Sequence, residues 1–287
     1  IPEDARILPP GNHELPRKVL TNEVIHMERA GRVFTVFNHA GGVGKTTLTR
    51  DLGYGLARRG LRVLLIDVDP QANLSQWLGI EDPPKPRTLW SLVSNRGLPQ
   101  PYEVFGLSLV PSSLDVATLD VELRRIPAGE ILLRNALKSL APDYDVVLVD
   151  SPPSLGPLSF LAGLAGEGFI VPLEPSAKGV AGLEALINTA ELYAQVVGAS
   201  NNFIRYFVPN RYDARVKAER RATEMLGRLE QIAPVGPTLA NRPAPHRKAM
   251  EKRVPVAAAD PRSQAAREID ALVQDFSTRV LALEVSP

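Results

Sequence analysis

From Arg32 onward, short apolar runs rich in β-branched residues alternate with longer segments whose apolar positions recur at helical spacing. The runs at 33–38, 62–67, 107–111, 145–150, 169–173 and 206–210 read as strands. The segments at 45–59, 131–140, 179–197, 216–232 and 264–281 read as helices. Strands that are apolar throughout, separated by helices, predict an α/β fold: a mostly parallel twisted sheet with helices on both faces. The proline-rich stretch 81–87 reads as a surface connection. Residues 1–31, with Pro2, Pro9, Pro10, Gly11 and Pro16, read as an arm carrying a short helix at 19–27. Residues 32–287 then form one domain, because the alternation continues without a flexible linker. Opening at Ile1 rather than Met, the chain is expected to lack its original N-terminus.

The 287 residues include 33 Lys+Arg against 32 Asp+Glu, an ordinary globular balance that says nothing about partners. The absence of cysteine is more decisive. It excludes disulfide scaffolds, thiolate zinc sites, cysteine-ligated iron–sulfur clusters and cysteine nucleophiles. No apolar run has the length of a membrane span and the opening has no signal-peptide core, so a cytoplasmic protein is expected.

Charge matters locally. Residues 205–253 carry 12 basic and 5 acidic residues, while the rest of the chain is net negative. Within 216–232, Ala222, Met225, Leu226, Leu229 and Ile232 keep a helical period and are expected to face the core. Lys217, Arg220, Arg221 and Arg228 lie mainly on other faces, with Arg215 just before them. Arg242, Arg247, Lys248, Lys252 and Arg253 follow in what reads as a proline-broken stretch. Few aromatics accompany these cations, which favours phosphate contacts to double-stranded DNA over stacking on single strands. A solvated basic face is the alternative.

The strongest chemical signal is Asn38-His-Ala-Gly-Gly-Val-Gly-Lys-Thr-Thr47, directly between the first strand and the first helix. Glycines let successive backbone N–H groups turn toward an anion, and the helix N-terminus adds partial positive charge. Lys45 can then reach β- and γ-phosphate oxygens, and the Thr46 hydroxyl is placed to ligate Mg2+. Asp67 and Asp150 each end a strand at the edge where such sheets bind ligands, although strand-end carboxylates also cap turns.

The ordinary loop spacing requires glycine at position 39, where this chain has His39. Gly41-Gly-Val-Gly-Lys-Thr-Thr47 instead resembles the deviant Walker A loop of the ParA/MinD family of P-loop ATPases. Asp67-Val-Asp-Pro-Gln-Ala-Asn73 resembles that family's Asp-Pro-Gln switch, and Tyr144 to Ser154 resembles its Walker B strand followed by Pro-Pro. Pro172-Leu-Glu-Pro, Gly182-Leu-Glu and Asp260-Pro-Arg-Ser263 resemble later landmarks, so the likeness spans residues 32–276. The Asp-Pro-Gln switch and the basic C-terminal part look most like those of chromosome- and plasmid-partitioning ParA.

The resemblance implies ATP and Mg2+ as cofactors and an ATP-sandwich homodimer. It also implies nonspecific double-stranded DNA as a partner, a ParB-type activator protein, and a cytoplasmic, nucleoid-associated location. It assigns the phosphates to Gly41, Gly42, Val43, Gly44, Lys45, Thr46 and Thr47, with Lys45 also catalytic. Thr46 would bind the metal directly and Asp150 through its water shell, with Asp67 supporting the metal side. Asp69 would orient the attacking water. Asn210 would give its amide to adenine, although an Asx turn explains it nearly as well.

One departure matters. The family's signature lysine, which reaches the partner's phosphates across the dimer, is here Ala40. Cations supplied across a subunit interface accelerate phosphoryl transfer by about 10³- to 10⁵-fold. Intact Mg·ATP binding, slow hydrolysis and a weakened dimer are therefore expected. Four other readings compete with a partitioning ATPase, among them another ParA-like cargo-positioning ATPase. A noncatalytic ATP-dependent DNA-binding module is one, and a small-molecule kinase or ligase on the same fold is another. A MinD-like membrane ATPase is disfavoured by the acidic last helix, with Glu268, Asp270 and Asp275, and by a 281–287 tail without basic residues.

Overall fold

A computed structural model describes residues 31–283 apart from 96, 200–201, 214 and 217–225. Its strands are β1 (Arg32–Val36), β2 (Val63–Asp67), β3 (Tyr102–Val104), β4 (Leu107–Val110), β5 (Val146–Asp150), β6 (Phe169–Leu173) and β7 (Ile204–Pro209). They form one sheet in the order β3-β4-β2-β5-β1-β6-β7, parallel except for the β3–β4 pair. All six strands expected from the apolar runs are present, each within a couple of residues of its expected bounds. Strand β3 was not expected, because three residues are too few to show a pattern. A two-residue turn joins it to β4 through Phe105 (φ 52°) and Gly106 (φ 74°), both left-handed, as tight hairpins require.

The described helices are α1 (Lys45–Ala57), α2 (Asn73–Trp77), α3 (Ser91–Ser94), α4 (Leu119–Arg125), α5 (Leu132–Leu140), α6 (Pro157–Gly163), α7 (Ala177–Ala181), α8 (Leu183–Val197), α9 (Pro243–Lys252), α10 (Val256–Ala259) and α11 (Gln264–Arg279). Alternation within each strand divides the core between two faces. Val63, Leu65, Val146 and Leu148 pack with Leu48, Leu52 and Leu56 of α1 and with Ile269, Leu272, Val273 and Phe276 of α11. Leu64, Ile66, Val147 and Val149 pack on the opposite face, against α3 to α6. Phe37, Phe169, Phe203 and Phe207 extend that second face under Leu186, Ala190 and Tyr193 of α8. The sheet is thus covered on both sides, which is why its central strands are buried throughout.

Three expectations need correction. The segment 179–197 is two helices, α7 and α8, meeting at Gly182. The stretch 242–253 is not broken by its prolines but is the helix α9. Pro243 and Pro245 fall in its first turn, where no intrahelical N–H bond is lost. Of the expected helix at 216–232, the described end is a 3₁₀ turn over Gly227–Gln231. Leu226 and Leu229 are buried as expected, but Ile232 is 37% exposed because the chain leaves the helical path there. Lys217, Arg220, Arg221, Ala222 and Met225 lie outside the described residues, as do the arm residues 1–30 with their expected helix.

Candidate functional site

Strand β1 is central and delivers the loop 37–44 to the C-terminal edge of the sheet, where α1 begins at Lys45. Gly42 and Gly44 adopt left-handed conformations (φ 79° and 95°), which wind the loop without Cβ clashes. A Cβ on Gly44 would run into the Asn210 amide, and the left-handed φ of 95° itself favours glycine there. Asn38 ties the loop down from inside. Its Oδ1 accepts from the Ala40 amide at 2.9 Å and its Nδ2 donates to Pro172 O at 2.8 Å. Lys45 is buried, and its Nζ donates to the carbonyls of Asn38 and Ala40, both at 3.0 Å. Burial lowers the Lys45 pKa, an effect opposed by the charges of Asp150 and Asp69. The ammonium is therefore held at the loop's mouth. His39, which replaces the glycine of the ordinary spacing, points to α8 and bonds through Nε2 to Thr189 Oγ1 at 2.9 Å.

The carboxylates converge on the same edge. Asp150 lies between Val36 and Asp67 in the strand register, so β1, β5 and β2 end in one row. Asp150 Oδ1 accepts from the Thr49 hydroxyl at 3.2 Å, whereas its buried Oδ2 has no hydrogen-bond partner among the described residues. Burial raises the Asp150 pKa well above the carboxylate range, with Asp67 adding to the rise and the Thr46 hydroxyl opposing it. Asp67 is committed differently. Its Oδ2 accepts from the amide and hydroxyl of Ser75 in α2, at 3.0 and 2.7 Å, and its Oδ1 from the Asp69 amide at 3.2 Å. Burial pushes its pKa up to about 7, against the Ser75 bonds. Asp69 Oδ1 accepts from the Gln71 amide at 2.9 Å. The structure thus brings Lys45, Thr46, Asp67, Asp69 and Asp150 together. Among the described residues, one buried carboxylate oxygen, on Asp150, is left for a hard cation, the donor type that Mg2+ takes.

Beside the loop lies a cavity of about 230 Å³, bordered by Gly42, Gly44, Thr47, Asn210, Arg211 and the 239–243 segment. Asn210 borders it, with its amide donating to Val43 O at 2.8 Å and its Oδ1 accepting from the Arg211 amide at 2.9 Å. Two groups on the cavity wall, Asp51 and His246, were not singled out by sequence. Asp51 forms a buried two-pronged pair with Arg50 (3.1 and 2.9 Å) and caps α10 by accepting from the Val256 amide at 2.9 Å. His246 Nδ1 lies 3.9 Å from Asp51 Oδ2. The contacts that bring Asp51 to Val256 and His246 span about 200 residues of sequence, so no local pattern marks them.

The basic residues are dispersed. Arg242 closes onto Glu268 in the cavity wall, with its closest contact at 2.7 Å. Arg215 pairs with Asp213 at 2.6 Å, Lys248 with Asp260 at 3.2 Å, and Arg253 with Glu81. Arg247 and Lys252, on exposed turns of α9, pair with no other described residue. Among the described residues, no helix is long and apolar enough to cross a membrane.

With this geometry in place, comparisons identify the lineage. A family model described as an AAA domain matches residues 31–204. The chain is 44% identical over 265 residues to a protein of Thermus thermophilus named "Probable plasmid-partitioning protein ParA", covering 90% of this chain and 82% of that one. It is 31% identical to "Cell division protein PomZ" of Myxococcus xanthus, covering 85% and 77%. An ATP complex of a McdA variant from Cyanothece superposes with a TM-score of 0.77 at 22% identity, covering 90% of this chain and 99% of that one, a likeness of fold. Family model, relatives and the strand–loop–helix at residues 32–57 agree that the chain belongs to the ParA/MinD family of P-loop ATPases.

Proposed function

We propose that this chain is a partitioning-type nucleotide switch. It binds ATP with Mg2+, forms an ATP-sandwich homodimer, holds nonspecific double-stranded DNA in that state, and hydrolyses ATP when a ParB-type partner stimulates it. The observation that carries the reading is the convergence of Lys45, Thr46 and the unpartnered Asp150 Oδ2 around the glycine loop. The 44% identity to a plasmid-partitioning relative supports the cargo class.

In this reading the amides of Gly41 to Thr47 cradle the phosphates and Lys45 turns from the carbonyls of Asn38 and Ala40 to phosphate oxygens. Thr46 and Asp150 would hold the metal, Asp150 through its water shell. Magnesium, when bound, neutralises charge that builds on the phosphate oxygens. Asp69, at the end of β2, orients the attacking water. Asp67 supports the metal side by fixing the Asp69 amide and, through Ser75, the helix α2. The cavity beside Asn210 receives the nucleoside. Arg215, Lys217, Arg220, Arg221, Arg247, Lys248, Lys252 and Arg253 supply the basic DNA-binding surface, whereas Arg242 is held in the cavity wall by Glu268, and the switch works in the cytoplasm on the nucleoid.

Ala40 favours a second reading. Without a charge at this position, phosphoryl transfer loses a stabilising cation, and the chain then acts as an ATP-dependent DNA-binding module with little turnover. Binding to random-sequence duplex without nucleotide, with ADP and with ATP, alongside sizing, tests the switch. DNA retention that is independent of ATP and of dimer formation refutes it. Turnover of this chain against its Ala40→Lys form then separates the readings, because equal rates remove the role given to the missing charge.

A further inference from the structure

The dipeptide Asn210–Arg211, just after β7, grips the phosphate loop from outside at two successive carbonyls. Asn210 Nδ2 donates to Val43 O at 2.8 Å and Arg211 Nη1 donates to Gly42 O. The grip is built with care. Arg211 has φ of 61°, a left-handed conformation that non-glycine residues avoid, and the Asn210 Oδ1 bond to its amide stabilises that turn. Its Nε lies 3.8 Å from Glu174 Oε1, so a carboxylate beyond β6 orients the guanidinium. Gly44 lacks the Cβ that would displace Asn210.

The consequence follows from peptide geometry. In a planar trans peptide the C=O and the following N–H point in opposite directions. Holding the Gly42 and Val43 carbonyls outward therefore aims the Val43 and Gly44 N–H groups inward, to the concave side where an anion sits. We propose that Asn210 and Arg211 are positioning residues for phosphate binding, a two-point latch that fixes these amides before the ligand arrives. Arg211 also brings a positive charge to the loop's rim, where Ala40 brings none. On this assignment Asn210 acts through the loop rather than by reading the base. The inference rests on the reading that the loop takes a nucleotide's phosphates.

Calorimetry with ATP, ADP, GTP, inorganic tripolyphosphate and adenosine, each with magnesium, tests it on the full chain and on R211A, R211K and N210A. Thermal unfolding establishes that each variant is folded, and R211K keeps the charge should R211A fail to fold. R211A and N210A should each weaken ATP, ADP and tripolyphosphate by about tenfold, the scale of one charge-assisted or pre-organising bond. R211K should recover part of the loss, with adenosine binding and the ATP-to-GTP ratio unchanged. Wild-type phosphate affinity in folded R211A overturns the latch. So does an N210A defect confined to adenosine and to base preference. Failure of the unaltered chain to bind ATP and tripolyphosphate is a distinct result, which removes the nucleotide reading itself.

Discussion

The phosphate-loop edge and the basic C-terminal segment hold charge in opposite ways. At the loop, Lys45, Asp67 and Asp150 are buried, and backbone groups and hydroxyls fix their geometry before any ligand arrives. Desolvation shifts all three toward their neutral forms, so each gains when a countercharge arrives. In the basic segment, Arg215, Lys248 and Arg253 lie near the surface and close onto acids of the same chain. Such exposed pairs are weak and exchange readily for another anion. The charges at the loop are thus fixed in place, whereas those of the segment can exchange partners at the surface. The two meet at Asp51 of α1, which pairs with Arg50, accepts from the first amide of α10 and lies 3.9 Å from His246 of α9.

That junction should yield the largest effect. Asp51→Ala leaves Arg50 fully buried without its carboxylate, at a cost of about 3–5 kcal/mol in urea unfolding. A loss below about 1 kcal/mol would mean that the junction does not tie the regions together.

Next comes the loop itself. Lys45→Ala should lower ATP affinity by about a hundredfold, because two charge-assisted bonds to phosphate disappear. Calorimetry that finds less than a threefold change would make the loop as adaptable as the basic segment.

The surface should respond in smaller, additive steps. Replacing Arg247 and Lys252 with glutamate should reduce the slope of log affinity for duplex against log salt by about one per position. Arg242→Ala, in the cavity wall, should leave that slope nearly unchanged. Equal slopes for all three variants would erase the distinction drawn between wall and surface.

The smallest expected effect is a pH dependence. Burial lowers the His246 pKa, and Arg50 adds to the shift, while Asp51 and Glu268 oppose it. The unfolded chain then binds a proton near pH 6.5 that the folded chain refuses, so stability contributed by neutral His246 is lost as pH falls from about 6.5 toward the folded value. His246→Gln should flatten that part of the stability profile. A profile identical to that of the unaltered chain would show that the buried imidazole takes up its proton freely.

Much of the loop was legible in advance because its chemistry is local. Glycines at 41, 42 and 44, the lysine after them, and strand-terminal Asp67 and Asp150 announce a phosphate cradle whatever surrounds them. The helix α9 was less legible, since Pro243 and Pro245 suggest a break unless the helix start is known. Strand β3 was hidden by its length, and Arg242 passed for a surface cation until Glu268 was brought beside it.

By itself, then, the sequence determined the alternation of strands and helices, the anion-binding turn and the row of carboxylates. Each of these depends on spacing within a few residues and on conformations that only certain residue types adopt. The tertiary structure alone decided which polar groups are spent and which remain open. Ser75 takes up Asp67 Oδ2 with its amide and hydroxyl while that hydroxyl accepts from the Ser112 amide, Asp150 keeps an oxygen without a partner among the described residues, and Asn210 with Arg211 closes on the loop from far along the chain. Such partnerships are set by burial and by distances between segments remote in sequence, and the energy of a polar group depends on its partner in space.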